Sequence, residues 1–146
     1  MFLNTNPPKI RSSMEADVLK AKLAEFQSEC ETMQEFLESR ASDTPELMLE
    51  RLTQINSYLA RSGMLLADAK LIQDNERAAL YLNNVDVIKK MPVSTAKAFI
   101  ESQTGEINYY VNWLDRINRS LVHVGDNLRT QVSYAKEELR LTKSGY

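Results

Sequence analysis

Residues 114–139 read LDRINRSLVHVGDNLRTQVSYAKEEL. Apolar residues recur there at alternating steps of three and four. The pattern extends on both sides, through Ile107, Val111, Leu114, Leu121, Leu128, Val132, Ala135 and Leu139. Such spacing places them on one face of an α-helix and repeats as a heptad. With Val111 at a and Leu114 at d, Tyr110, Ile117 and Val124 fill g. The stripe is therefore three residues wide per heptad, which suits a helix with more than one neighbour.

Two residues interrupt that stripe. Asn118 and Gly125 both fall at a. A buried asparagine costs stability but fixes register and oligomer state, because its amide needs a partner at the same level. A glycine lets a neighbouring backbone or a large side chain come close. Two readings stand: these positions select one alignment among similar heptads, or they lie on a loosely packed flank. Leu114, Asn118, Leu121, Gly125, Leu128 and Val132 are the candidate oligomer seam.

Outward from this stretch the chain is sparsely punctuated. Its 146 residues suggest one domain, and three of its four prolines (Pro7, Pro8, Pro45) precede residue 46. Residues 1–12 read as an extended arm, since Pro7-Pro8 forbids helix; its Phe2, Leu3 and Ile10 are available to dock on a neighbour. Residues 13–146 read as a single helical domain. Ser12 and Glu15 match a capping box opening a helix over about 13–40. Leu19, Leu23, Phe26, Cys30, Met33 and Leu37 form its seam, and Glu25, Glu29, Glu31, Glu35 and Glu38 its outer face. Thr44-Pro45-Glu46 starts a second helix over about 45–82. Its seam is Met48, Leu52, Ile55, Leu59, Ser62, Leu66 and Ala69, flanked by Tyr58, Leu65, Ile72 and Ala79. Ala60, Gly63 and Ala67 make a small-residue strip suited to close helix approach. Val85–Met91 reads as a short extra turn. Ser94 is the next N-cap candidate, and a long third helix over about 95–143 follows, with Thr104-Gly105 as its weak point and Gly145 as its stop. The expected fold is all-α: a helical bundle or coiled coil of two shorter helices and one long C-terminal helix.

Charge is unevenly spread. Residues 1–50 hold five Lys and Arg against ten Asp and Glu, and residues 51–146 hold thirteen against ten. An acidic first helix beside a mildly basic remainder suggests head-to-tail or antiparallel self-pairing. The opening MFLNTNPPKI lacks the apolar run of a signal peptide, and no stretch approaches the length needed to span a membrane. A cytoplasmic setting is expected, with no membrane contact. A single cysteine excludes an internal disulfide framework, and Asn118-Arg119-Ser120 is read as a coincidental match to the glycosylation pattern.

Chemistry-bearing groups are few. His123, the only histidine, falls on the outer f position. Cys30 lies between Phe26 and Met33 and reads as a small core residue. No Cys/His cluster has metal-ligand spacing, no glycine-rich phosphate loop is present, and Glu137-Glu138 are adjacent on a helix and face different ways. No enzyme, catalytic residue, metal or cofactor is expected. One face is richer. Tyr109, Trp113, Arg116 and Arg119 lie three or four residues apart, and Arg129, Lys136 and Arg140 extend the basic character, with Lys143 and Tyr134 nearby. Aromatics interleaved with arginine suit single-stranded nucleic acid, where rings stack on bases and cations meet phosphates. The same residue types anchor protein interfaces. The plain alternative is that Trp113 packs under another helix of the same assembly.

Two stretches, SYLARSGMLLADAKLIQDNERAALYL (57–82) and INYYVNWLDRINRSLVHVGDNLRTQVSYAKEEL (107–139), resemble the small all-helical proteins of tailed bacteriophages. Within that group the layout is similar to T4-type recombination mediators. The resemblance implies short helical subunits that form rings, bind single-stranded DNA and help load a recombinase, in the host-cell cytoplasm. It carries over no functional residue. Three functions are thus expected, in this order: a non-catalytic assembly, scaffold or adaptor protein that self-associates through coiled-coil seams and binds a protein partner; a single-stranded nucleic-acid-binding mediator; and a protein inhibitor of a host or phage enzyme.

Overall fold

Thr44-Pro45-Glu46 does start a helix. In the computed structural model, which describes residues 14–40 and 44–144, Pro45 is the first residue of α2 (Pro45–Asn83). Proline suits that position, having no N–H to leave unpaired; the first bond of the helix runs from Met48 N–H to the Thr44 carbonyl at 2.9 Å. Before it lies α1 (Ala16–Glu38), and after it α3 (Val85–Ile88), α4 (Val93–Gln103) and α5 (Gly105–Lys143). The fold is all-α, with no strand among the described residues. The arm at 1–12, the Ser12 cap and Gly145 lie outside the described residues.

Three expectations need correction. First, α2 is not a shorter helix: it and α5 each have 39 residues, against 23 in α1. Second, Pro92 and not Ser94 stands at the N-cap of α4; its backbone is extended (φ −56°, ψ 148°), and its carbonyl accepts the Ala96 N–H at 3.0 Å. Third, the span 95–143 is not one helix: it divides into α4 and α5 at the Thr104-Gly105 weak point, and α5 remains a long C-terminal helix. The break is at Thr104, whose backbone leaves the helical region (φ −108°, ψ 22°). Thr104 is 4 % exposed, and its hydroxyl donates to the Ile100 carbonyl at 2.9 Å. A side chain that takes a carbonyl of its own helix competes with the backbone ladder. Asn108, one turn into α5, donates its amide to the Glu101 carbonyl (3.2 Å) and to Thr104 Oγ1 (3.1 Å). Its Oδ1 accepts from Gln73 Nε2 (2.7 Å) and Arg77 Nη2 (3.0 Å) on α2. The interruption is thus pinned from two sides.

The chain divides into two compact units. The first comprises residues up to Gln27 together with Ala67–Asn112. Its core is Phe26 of α1, Ala69, Ile72 and Ala79 of α2, Ile88 of α3, and Ile107 and Val111 of α5. Phe26 lies 6.2 Å from the Tyr110 ring, centroid to centroid, and the Tyr110 hydroxyl donates to Gln27 Oε1 at 2.6 Å.

The second unit comprises Ser28–Leu66 and the residues from Trp113 on. Its core is Cys30 and Met33 of α1, Ile55, Ser62 and Leu65 of α2, and Leu114, Ile117, Leu121, Leu128 and Val132 of α5. Burial of the g-position Ile117 beside the a and d positions shows the stripe three residues wide. α1 and α2 are joined by Arg61, which meets Glu29 at 2.6 Å. The Phe36 and Tyr58 rings meet at a tilt, with centroids 4.9 Å apart.

The small-residue strip does not serve a close approach inside the fold. Ala60, Gly63 and Ala67 are all exposed. A Cβ built on Gly63 meets only Asn118 Nδ2, at an ordinary 3.9 Å. Gly63→Ala is therefore expected to stabilise the fold by about 0.5–1 kcal/mol, since it removes a mid-helix glycine without a clash. Urea denaturation reads this as a higher midpoint at unchanged slope; a lower midpoint would show that the added methyl group does clash.

Candidate interaction surfaces

The seam residues of α5 have their partners inside the chain. Asn118 donates from Nδ2 to Ser62 Oγ at 2.9 Å and to the Leu59 carbonyl at 3.5 Å, both on α2. The Ser62 hydroxyl, fully buried, donates to the same Leu59 carbonyl at 3.2 Å. The asparagine thus meets a polar partner at its own level, and a shift of α5 by one turn would take that partner from the amide. Gly125 faces Ile55: a Cβ there would sit 3.3 Å from Ile55 Cγ2. Leu114, Leu121, Leu128 and Val132 are buried around these two positions. Of the residues assigned from sequence to an oligomer seam, Asn118 and Gly125 therefore meet α2 of their own chain, and the four apolar ones are buried within that chain.

The aromatic and basic face is less uniform than its spacing suggests. In the first unit Tyr109 is 56 % exposed and meets Tyr110 edge-on, with centroids 5.1 Å apart. In the second unit Trp113 is half-buried, and its indole N–H donates to Gln34 Oε1 of α1 at 3.1 Å. Trp113 is thus held under a helix of its own chain. Arg116 and Arg119 are exposed, but Arg119 pairs with Asp115 at 2.8 Å. Arg129 pairs with Asp126 at 3.0 Å and donates to Asn56 Oδ1 at 3.2 Å. Arg140 pairs with Glu137 at 2.7 Å, and Lys136 is exposed nearby. Arg119, Arg129 and Arg140 each have an acid one turn back along α5. A phosphate backbone would meet a face whose positive field is largely offset.

His123 is exposed. Cys30 is fully buried, and its thiol is pushed up to about 12, first by burial and then by Glu29 and Glu31. A thiolate is the nucleophile, so this group is unreactive at neutral pH. The linkage has a definite sign. A thiol that keeps its proton in the folded chain, while the unfolded chain loses it near 9.0, favours unfolding as pH rises above that value. We expect Cys30 to resist a thiol-reactive reporter in the native protein at pH 8 and to react fully on unfolding in guanidinium chloride. Fast labelling without denaturant would contradict its burial. Among the described residues no cluster of His, Cys, Asp and Glu is placed to hold a metal. No described helix is long and apolar enough to cross a membrane.

Two surface features were not legible in the sequence. One is a cleft of about 300 Å³ in the first unit, walled by Tyr81, Ile88, Val93, Ala96, Lys97 and Ile100. Its walls come from α2, α3 and α4. The other is a hollow of about 550 Å³ beside Leu19, Leu23, Glu76 and Ile107; Glu76 there accepts the Met14 backbone N–H at 3.0 Å.

No protein-family model, no curated protein and no solved structure matches this chain.

Proposed function

We propose that this is a non-catalytic helical assembly or adaptor protein that self-associates and works through its surfaces. The observation that carries this reading is the distribution of its apolar groups. The coiled-coil seam of α5 is filled from within the chain, yet large apolar side chains remain exposed on every helix longer than one turn. Val18, Leu71, Val93 and Leu141, for example, are 49, 57, 87 and 53 % exposed. Scattered exposed residues of this kind are normal singly, but grouped with unpaired charge they mark interaction sites. The reactive inventory supports the same view, since the one cysteine is buried and protonated and the one histidine stands alone.

The second reading is a single-stranded nucleic-acid-binding mediator of the kind the phage resemblance implies. The exposure of Tyr109 and of Arg116 favours it. The offset arginines and the bonded Trp113 weigh against it. A fluorescently labelled oligonucleotide titrated at low and moderate salt separates the two. The assembly reading expects no anisotropy change at micromolar protein. Binding that weakens steeply as salt rises would replace it with the mediator reading. The inhibitor reading keeps the acidic outer face of α1, where Glu31, Glu35 and Glu38 are exposed.

A further inference from the structure

We propose that copies of this chain associate through unlike surfaces: the basic and apolar corner formed by α3 and α4 of one copy packs on the acidic and apolar first turns of α2 of a second copy. This rests on the self-association reading above and names the surfaces that would carry it.

The corner belongs to the first unit. α3 is a single turn ending at Ile88, and the extended Pro92 opens α4 four residues later. Among the described residues, apolar side chains there stay exposed: Val87 is 55 % exposed, Val93 87 % and Tyr81 45 %. Lys89, Lys90 and Lys97 are exposed among them, and none of the three forms an ion pair among the described residues. Asp86 and Glu101 are the acids nearby in sequence, so the corner is net positive. The 300 Å³ cleft opens beside Val93, which gives the surface a concave apolar element as well as a charged one.

The complementary surface belongs to the second unit. Glu46 and Glu50 stand one turn apart on the outer face of α2, both exposed. Leu47 flanks that acidic ridge on one side and Leu49 on the other, at 47 and 43 % exposure. Glu35 and Glu38 of α1 are also exposed in this unit. Arg51, the cation within α2's first two turns, is turned inward. Its guanidinium lies 4.4 Å from the Phe36 ring centroid and donates to Ser39 Oγ, the Phe36 carbonyl and the Ser39 carbonyl at 3.0, 3.0 and 3.1 Å. It holds α1 against α2 and leaves the carboxylates with Arg40 as the exposed cation there.

The two surfaces match in kind. Each is a small apolar group edged by charge, and the charges are opposite. Opposite potentials steer encounter and fix register, while like charges reject the wrong pairing. Corner against corner, or ridge against ridge, sets like charge on like. Corner against ridge does not. Because the two surfaces differ, corner meets ridge either reciprocally in a two-fold dimer or from copy to copy in a ring or chain.

Charge reversal in the full-length protein tests this. One variant carries Lys89→Glu with Lys90→Glu, the other Glu46→Lys with Glu50→Lys. All four positions are exposed, and helix content by circular dichroism checks that both variants fold. Light-scattering mass is followed over a concentration series at low salt. Each variant alone is expected to associate at least about tenfold more weakly than the wild type, from like charges set face to face. An equimolar mixture is expected to restore the wild-type mass, because the reversed corner of one variant matches the reversed ridge of the other. If the wild type associates and both variants do so equally well, these surfaces are overturned while self-association stands. The pairing is overturned equally if only the lysine reversal dissociates the protein, or if the mixture fails to recover. A wild type that stays at one chain throughout overturns both this pairing and the self-association reading beneath it.

Discussion

Phe26→Ala is expected to lower the unfolding free energy by about 3–5 kcal/mol, the usual cost of removing a fully buried aromatic ring. Phe26 is 0 % exposed. Its ring lies against Tyr110, whose hydroxyl is tied to Gln27 on the same turn of α1. Removing the ring leaves a cavity that α1 cannot close, because Tyr110 and Gln27 hold the adjacent backbone in place. The loss is read from urea denaturation by circular dichroism at fixed protein concentration, since any association shifts apparent stability by mass action. A loss below about 1 kcal/mol would mean that the ring is not enclosed.

Gly125→Leu is expected to destabilise by about 3 kcal/mol, at the upper end of overpacking costs. Here the helix-propensity gain of about 1 kcal/mol works in the opposite direction, so steric exclusion must win for the loss to appear. A Cβ alone already reaches 3.3 Å from Ile55 Cγ2, and the site is buried. Three further carbons have nowhere to go without prising α5 from α2. The paired variant Gly125→Leu with Ile55→Ala is expected to recover part of the loss, because the leucine can occupy the space the isoleucine vacates. Equal stability of Gly125→Leu and wild type would refute the close packing of the two helices at this level. The contrast with Gly63→Ala is informative: two mid-helix glycines are expected to respond with opposite signs because one is crowded by Ile55 and the other meets only Asn118 Nδ2 at an ordinary contact distance.

Much of the fold could be read from periodicity. The three-and-four stepping of Leu114, Leu121, Leu128 and Val132 located the buried face of α5, and Ile117 at g located its width. Periodicity assigns a face, however, and not the residue opposite it. Nothing in the heptads said that Asn118 would meet Ser62, or that the seam would be closed by the chain's own α2 instead of a second copy. Many alignments of similar heptads satisfy the same pattern, and a bonded pair such as Asn118–Ser62 distinguishes among them only once both helices are placed. The break between α4 and α5 was foreshadowed by Thr104-Gly105, but its pin was not. Asn108, Gln73 and Arg77 lie on flanks where polar residues are ordinary, and their convergence depends on tertiary placement. Trp113 and its arginines show the same limit. Spacing put them on one helix face, and it carried no information about Gln34 of α1 or about the pairing of Arg119, Arg129 and Arg140 with Asp115, Asp126 and Glu137.

The surfaces proposed to act were the hardest to foresee. Exposed apolar residues look like core residues in a sequence, and Val93 or Leu47 differs from Val111 or Leu121 only in what lies beside it. Exposure of Val87, Val93, Lys89, Lys90 and Lys97 makes the α3–α4 corner basic and apolar, and the inward rotation of Arg51 leaves the start of α2 acidic and apolar.

Self-association without nucleic-acid binding is the central claim about this chain. Light-scattering mass of the purified protein tests it most directly, over a concentration series at low and moderate salt, with and without an oligonucleotide. The expected result is a mass above the 16.7 kDa of one chain, rising with concentration, falling as salt screens the opposed charges, and unchanged by the oligonucleotide. A mass of one chain at every concentration would contradict it, as would an oligomer whose mass increases on oligonucleotide binding.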